Sequence, residues 1–295
     1  MSLLGSIKRK AISWYYGELP EVPFDNGYPW LGFMFQDLMK DALCARKPMY
    51  TWGVIQGAAL AKILNLTEIS VLEFGVAGGA GLVSLEHVSE IIQSRLGIGI
   101  DVYGFDTGIG HPKLLDYRDQ PNMLFEGQLP MKQQVLINAL NHASLLLGLI
   151  QDTLPTFLSQ SPAPVAFISF DLDLYSSTRD AIQLFNAPYE FLLPRIISYF
   201  DDINGHTYCD FTGERLAISE FNDSNEKRKL SPIYDLKFFV PRPYLNGYWW
   251  DSFFFVHFFE HPLYNVHDSI NKGVYTDVNG GGLRAPVDSD WRSRI

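Results

Sequence analysis

Apolar runs alternate with helically spaced apolar positions through the middle of this chain. Residues 69–75 (ISVLEFG) read as a buried strand, and 80–96 follow with the apolar spacing of a helix. The same reading places strands at 102–106, 145–149, 165–171 and 196–200, with helices near 133–141, 152–158 and 177–185 between them. Strands separated by helices need crossover connections, so the pattern predicts an α/β fold with a doubly wound, mainly parallel sheet covered on both faces. Ligands bind such sheets at the carboxyl ends of their strands.

Two stretches depart from that alternation. After a helical pattern at 214–221, the aromatic-rich runs 236–240 and 249–259 are separated by Pro241, Pro243 and Asn246-Gly247, which predicts a C-terminal antiparallel hairpin. Before the first strand, a helix is predicted over 50–64, preceded by an aromatic stretch at 14–35. Residues 1–66 are therefore assigned as an N-terminal helical and aromatic cap, which would cover the sheet or a pocket or make the contact of a homodimer. Residues 67–262 form the main domain, and 263–295, with the glycine run Gly280 to Gly282, an irregular tail.

Composition narrows the classes of partner. With 23 Lys plus Arg against 33 Asp plus Glu, the net charge is −10, and the basic clusters go no further than Lys8-Arg9-Lys10 and Lys227-Arg228-Lys229. Neither nucleic acid nor an anionic membrane is expected as a partner. No run approaches the roughly 18 apolar residues of a membrane span. Cys44 and Cys209 sit in no C-x-x-C or Cys/His ligand spacing, so neither a disulfide framework nor a structural zinc site is expected, and a cytoplasmic location fits.

Chemistry concentrates at strand ends. Glu73-Phe74-Gly75-Val76-Ala77-Gly78-Gly79-Ala80-Gly81 falls where a strand turns into a helix, with glycines for close ligand approach and a helix amino terminus with free N–H groups. It does not fit the dinucleotide pattern G-x-G-x-x-G, because position 77 is Ala and the glycine required after Gly79 and Gly81 is Ser84. Gly104-Phe105-Asp106-Thr107 ends the next strand and offers a carboxylate suited to ribose hydroxyls, although a turn aspartate reads the same way. Asp171 and Asp173 share one face of an extended backbone, and Asp201-Asp202 closes the neighbouring strand. Such clustered acids, if not separately solvated, suit a hard divalent cation such as Mg²⁺ better than zinc.

Taken in order, EFGVAGGAG, YGFDTGIGHP, LLLGLIQDTLP, ISFDLDLYSSTRDAI and YFDDING resemble class I S-adenosylmethionine-dependent methyltransferases, and within them the metal-dependent macrocin (macrolide-sugar) O-methyltransferase group, over residues 71–222. The resemblance implies a seven-stranded, Rossmann-like methyltransferase sheet. It also implies that Glu73, Gly75 and Gly79 surround the methionine part of S-adenosylmethionine, Asp106 holds its ribose and Gln151 lies near its adenine. Thr107 and Asp171 join the expected cofactor-binding set, while Asp173, Asp201 and Asp202 are the implied ligands of Mg²⁺. The similar catechol methyltransferases carry a lysine base three residues after the first metal ligand, where this chain has Ser176. Asp173 is then the first choice for catalytic base and His206 the second. The expected reaction is methylation of a hydroxyl on a small molecule, a sugar or natural product, with a phenol or catechol as the alternative. The loop 107–130, carrying His111, Pro112, Tyr117, Arg118 and Phe125, is expected to shape the acceptor pocket. A nicotinamide-dependent oxidoreductase and a non-catalytic cofactor-binding protein stay open as different classes.

Overall fold

A computed structural model describes residues 29–205, 207–239 and 247–266. The aromatic stretch at 14–28, His206 and the glycine run at 280–282 lie outside the described residues. Seven strands form one sheet: β1 (Glu68–Phe74), β2 (Gly99–Asp106), β3 (Ser144–Leu147), β4 (Val165–Phe170), β5 (Leu192–Phe200), β6 (Arg228–Pro232) and β7 (Phe253–Phe258). Their order is β3-β2-β1-β4-β5-β7-β6. The first five run parallel, while β7 lies antiparallel to both β5 and β6. This is the doubly wound, Rossmann-like seven-stranded sheet with an antiparallel C-terminal hairpin that the sequence led us to expect.

The helices are α1 (Pro29–Leu38), α2 (Ala42–Arg46), α3 (Pro48–Ile63), α4 (Ala80–Leu96), α5 (Gln133–Ile137), α6 (Ile150–Ser159), α7 (Tyr175–Ile182) and α8 (Gly213–Ser224). Pro48 starts α3, where its missing N–H costs nothing. α4 ends at Gly97, which takes φ 60° and returns its N–H to the Gln93 carbonyl. All six residues of β4 are buried, as a strand covered on both faces requires. α3 packs on β1, β4 and β5, and its Tyr50, Val54, Ile55 and Ala58 belong to the same core as the strands. Among the described residues, no helix is long and apolar enough to cross a membrane.

The hairpin is built differently from its sequence pattern. Its first arm is β6 at Arg228–Pro232, and the aromatic run expected to supply that arm forms a 3-10 turn at Leu236–Phe239. The second arm is shorter than 249–259, because Tyr248–Ser252 is also a 3-10 turn. β6 pairs on one side only, which is where Arg, Lys and Pro are tolerated in a strand. The helix expected over 133–141 stops at Ile137. The N–H groups of Asn141, His142 and Ala143 turn instead to the buried Glu86 carboxylate, at 2.7–3.1 Å. Between 107 and 130 the only regular element is a 3-10 turn at Tyr117–Asp119.

Four phenylalanines floor the carboxyl edge of the sheet. Phe105, Phe74, Phe170 and Phe200 are register partners across β2, β1, β4 and β5, and all are fully buried. Their ring centroids are 4.6, 5.4 and 4.4 Å apart along that line. The residues immediately following them are Asp106, Gly75, Asp171 and Asp201. An apolar floor thus ends, on four neighbouring strands, in one glycine and three carboxylates.

Candidate functional site

A cavity of about 380 Å³ opens above that floor. It is lined by the turn from Gly75 to Gly81, by Glu73, Asp106, Thr107 and Gln151, and on the far side by Asp171 and Asp173. Asp201 and Asp202 are not among the lining residues.

The turn after β1 depends on Gly75, whose φ is +87°. A Cβ there would stand 1.7 Å from the Asp171 carbonyl oxygen, so only glycine lets β1 and β4 end side by side. Gly79 is left-handed, with φ +82°, and caps α4. The free N–H groups expected in this turn are partly taken: Val76 and Ala77 donate to Asp106 Oδ2 at 3.0 and 2.8 Å, and Gly108 donates to Oδ1 at 2.6 Å. Asp106 therefore clamps the glycine turn as well as facing the cavity. Thr107 makes a local turn, its hydroxyl donating to the Gly110 carbonyl at 2.5 Å. Gln151 reaches the cavity from the first turn of α6 and is exposed.

Glu73 is buried at the cavity wall. Tyr50 donates its hydroxyl to Glu73 Oε1 at 2.6 Å and accepts from Ser169 Oγ at 3.0 Å, while Oε2 has no hydrogen-bond partner among the described residues. Burial pushes the Glu73 carboxyl up to about 8, against the opposing pull of the Tyr50 bond, with Asp171 adding to the rise and Lys47 offsetting it. A buried carboxyl oxygen without a partner at a cavity wall is open to a polar group of a ligand or to water.

The second half of the site is crowded with acids. Burial raises Asp171 to about 8, with the charges of Asp201 and Asp202 next in effect. Asp202 rises to about 7 through burial and then through the charge of Asp173. Its oxygens accept from the Asp173 N–H at 2.9 Å and the Tyr208 hydroxyl at 2.8 Å. Asp201 Oδ1 accepts from the Tyr199 hydroxyl at 2.7 Å. Asp173 sits at φ +58°, a strained setting for a residue with a side chain. Among the described residues, Asp173, Asp201 and Asp202 do not form a set with ligand atoms all within 4.8 Å of one another. His206 lies outside the described residues.

Three neighbours of the site were not assigned a role from sequence, and a fourth, His111, only as part of the loop at 107–130. Lys47 lines the cavity, with its ammonium 5.2 Å from the Tyr50 ring centroid. Tyr50 holds Glu73, as above. His111 places Nε2 3.0 Å from Asp173 Oδ2, and its buried Nδ1 has no hydrogen-bond partner among the described residues. Glu214, fully buried on α8, accepts from the Asp202 N–H at 3.1 Å, and burial carries its carboxyl well above the usual range. Only His111 gave a sequence signal, as part of the long loop; the others stand 23 or more residues from any chemical motif or on a helix that reads as ordinary.

No family model and no curated protein matches the chain. Among solved structures it is similar to the calicheamicin methyltransferase CalS11, at 18% identity over 74% of this chain and 93% of that one, with a TM-score of 0.47. It is also similar to the O-methyltransferase TomG from Streptomyces achromogenes, involved in tomaymycin synthesis, at 14% identity over 84% and 96% of the two chains, TM-score 0.41. A third, the cofactor-bound Rv0187 from MTB, shows 14% identity over 88% and 99%, TM-score 0.39. Likeness this distant leaves the functional argument to the geometry of the site.

Proposed function

We propose that the chain is an S-adenosylmethionine-dependent O-methyltransferase acting on a hydroxyl of a small molecule. The observation that carries this reading is the electrostatics of the glycine turn. In a dinucleotide site the turn's N–H groups and helix amino terminus receive a pyrophosphate. Here Asp106 occupies the N–H groups of Val76 and Ala77, and the buried Glu73 lies against the same turn with an oxygen unpartnered. An anionic pyrophosphate would compete there with the Asp106 carboxylate and press the raised Glu73 carboxyl further toward its protonated form. A ligand carrying an ammonium and a sulfonium would pair with Asp106 and draw the Glu73 carboxyl into its ionised form, which favours S-adenosylmethionine over a nicotinamide cofactor.

In this reading, Glu73, Gly75 and Gly79 surround the methionine portion, Asp106 and Thr107 the ribose, and Gln151 the adenine, with Asp171 closing the cofactor side. The oxygen-only donor set of Asp173, Asp201 and Asp202 has the chemistry for Mg²⁺, and a cation would relieve the repulsion that raises Asp202. Their ligand atoms must draw closer than they now stand, and each Asp202 oxygen, accepting one hydrogen bond, keeps a lone pair for an ion. When bound, Mg²⁺ supplies Lewis acidity to an acceptor hydroxyl.

The chain's own residues do the rest. The cavity aligns donor and acceptor, since methyl transfer from a sulfonium needs chiefly an in-line approach. Asp173 accepts the hydroxyl proton, its carboxylate steadied by His111 at 3.0 Å. Leu115, Leu129 and Leu149 are exposed apolar residues lining the cavity, which suits an acceptor with a hydrophobic body bearing a sugar or phenolic hydroxyl.

Calorimetry with S-adenosylmethionine, S-adenosylhomocysteine and NAD, each with and without Mg²⁺, tests the reading. Binding of both methionine derivatives and not NAD is the expected result. NAD binding with neither of the others would overturn it.

A further inference from the structure

The sequence offered no zinc spacing around either cysteine, yet the fold assembles one. Asp41 precedes α2, Cys44 lies within it, and His87 stands 43 residues further on, in the middle of α4. α2 packs on α4, and one ligand atom from each of the three residues lies within 4.8 Å of the other two. His87 Nε2 is 3.1 Å from Asp41 Oδ1. Bonds of about 2.0 Å to N and O and about 2.3 Å to S, at tetrahedral angles, put ligand atoms roughly 3.3–3.6 Å apart, so the imidazole and carboxylate already stand near ligand spacing and no pair has more than about 1.5 Å to close.

We propose that Asp41, Cys44 and His87 form a binding site for a thiophilic divalent cation, Zn²⁺, separate from the carboxylate edge of the main cavity. The donor set decides the class: one thiolate, one imidazole and one carboxylate suit zinc, whereas Mg²⁺ and Ca²⁺ prefer oxygen alone. Asp41 Oδ1 accepts from the N–H groups of Leu43 and Cys44 and faces His87 Nε2, so the backbone of α2 holds the carboxylate beside the imidazole. The Asp41 and His87 side chains are 40% and 30% exposed, so ion and water reach the site from solvent, and water completes the fourth position. Cys44 is fully buried and its thiol is held protonated by burial and by Asp41, so binding transfers that proton to water as the sulfur–metal bond forms.

The site is placed to matter. Lys47, at the junction of α2 and α3, lines the main cavity, and Tyr50 in the first turn of α3 holds Glu73 at its wall, while α4 begins at the glycine turn. An ion joining α2 to α4 fixes the approach of both to the cofactor cavity without touching it.

The test uses full-length protein stripped with EDTA and reconstituted with Co²⁺ or Zn²⁺. The expected result is a thiolate-to-cobalt charge-transfer band that saturates at one equivalent. It should vanish in Cys44→Ala and persist in Cys209→Ala. Cobalt at the aspartate edge gives no thiolate band, so that site cannot imitate the signal. Because Cys44 is buried, His87→Gln provides a second variant at a partly exposed position, and Zn²⁺ binding should weaken at least tenfold in it. Absence of the band in folded wild-type protein, its survival in Cys44→Ala, or unchanged Zn²⁺ affinity in His87→Gln overturns the proposal.

Discussion

The two halves of the cavity solve opposite problems. On the β1 and β2 side, backbone does most of the work: a turn that only glycine can make, clamped by its Val76 and Ala77 N–H groups donating to Asp106. That half stands ready with no ligand present. On the β4 and β5 side, side chains crowd together, and Asp171 and Asp202 are pushed up to about 8 and about 7 by burial and mutual repulsion. That half is in tension until a proton or a cation arrives. A preorganised half suits a cofactor that must be held in one pose, and a charge-laden half suits a step in which charge moves.

The contrast can be broken most severely at Gly75. Gly75→Ala adds a Cβ onto the Asp171 carbonyl at a positive φ, joining the two halves by collision. We expect a loss of about 2–5 kcal/mol in stability and no measurable cofactor binding, read by denaturant unfolding and calorimetry. Unchanged stability would mean that the two strand ends can part freely.

Asp201→Asn addresses the charged half alone. Turnover should fall at least about a hundredfold, since even a residue that only supports a metal ligand is worth 10–100-fold, while cofactor affinity stays within about threefold. Full activity in EDTA would remove the cation from this half and with it the proposed division of labour.

Glu73→Gln sharpens the comparison from the ready side. The Glu73 carboxyl stands at about 8 in the folded protein against an ordinary 4.5. Its contribution to stability is fully present below about 4.5 and is lost as pH rises through about 8, because the folded state holds a proton that the unfolded state has released. Gln has no proton to lose, so thermal midpoints of the variant should fall less than those of the wild type between pH 5 and pH 8. Cofactor affinity should drop about tenfold, equal to about 1.4 kcal/mol. Parallel midpoint curves for the two proteins would show that Glu73 does not titrate in that window.

The smallest effect is expected at Tyr208. Tyr208→Phe deletes the hydroxyl that donates to Asp202 Oδ1 at 2.8 Å, leaving the fold intact and Asp202 less well held. A change of under about tenfold in turnover, at nearly constant cofactor affinity, is the expected reading; a hydrogen bond to a charged group is worth about 1.5–3 kcal/mol, part of which water restores.

The central strands were legible because burial on both faces demands unbroken apolar runs, as in VAFISF of β4. β6 was not, because RKLSP carries two cations and a proline and matches no strand pattern, while the neighbouring LKFF looks far more like a strand. An edge position removes half the pressure for apolar residues, and the aromatic run was free to pack as a turn. At the site, the acids and glycines announced themselves by standing at strand ends. Tyr50 and Lys47 did not, since an aromatic or a lysine on an apolar helix is ordinary until the sheet places it beside Glu73. The cluster of Asp41, Cys44 and His87 was invisible for a related reason: helix packing, which sets its third member, leaves no mark in local spacing.

The position of β7 has a consequence in time. β7 is inserted between β5 and β6, so the edge of β5 has no neighbour until residues 253–258 have left the ribosome. Until then a nine-residue apolar strand presents bare N–H and C=O groups to any passing chain. The half built on β1 and β2 has both its neighbouring strands, β3 and β4, by residue 170, long before β7 emerges. Synthesis therefore runs ahead of protection at β5, and the interval between the two is when this protein is most exposed to aggregation.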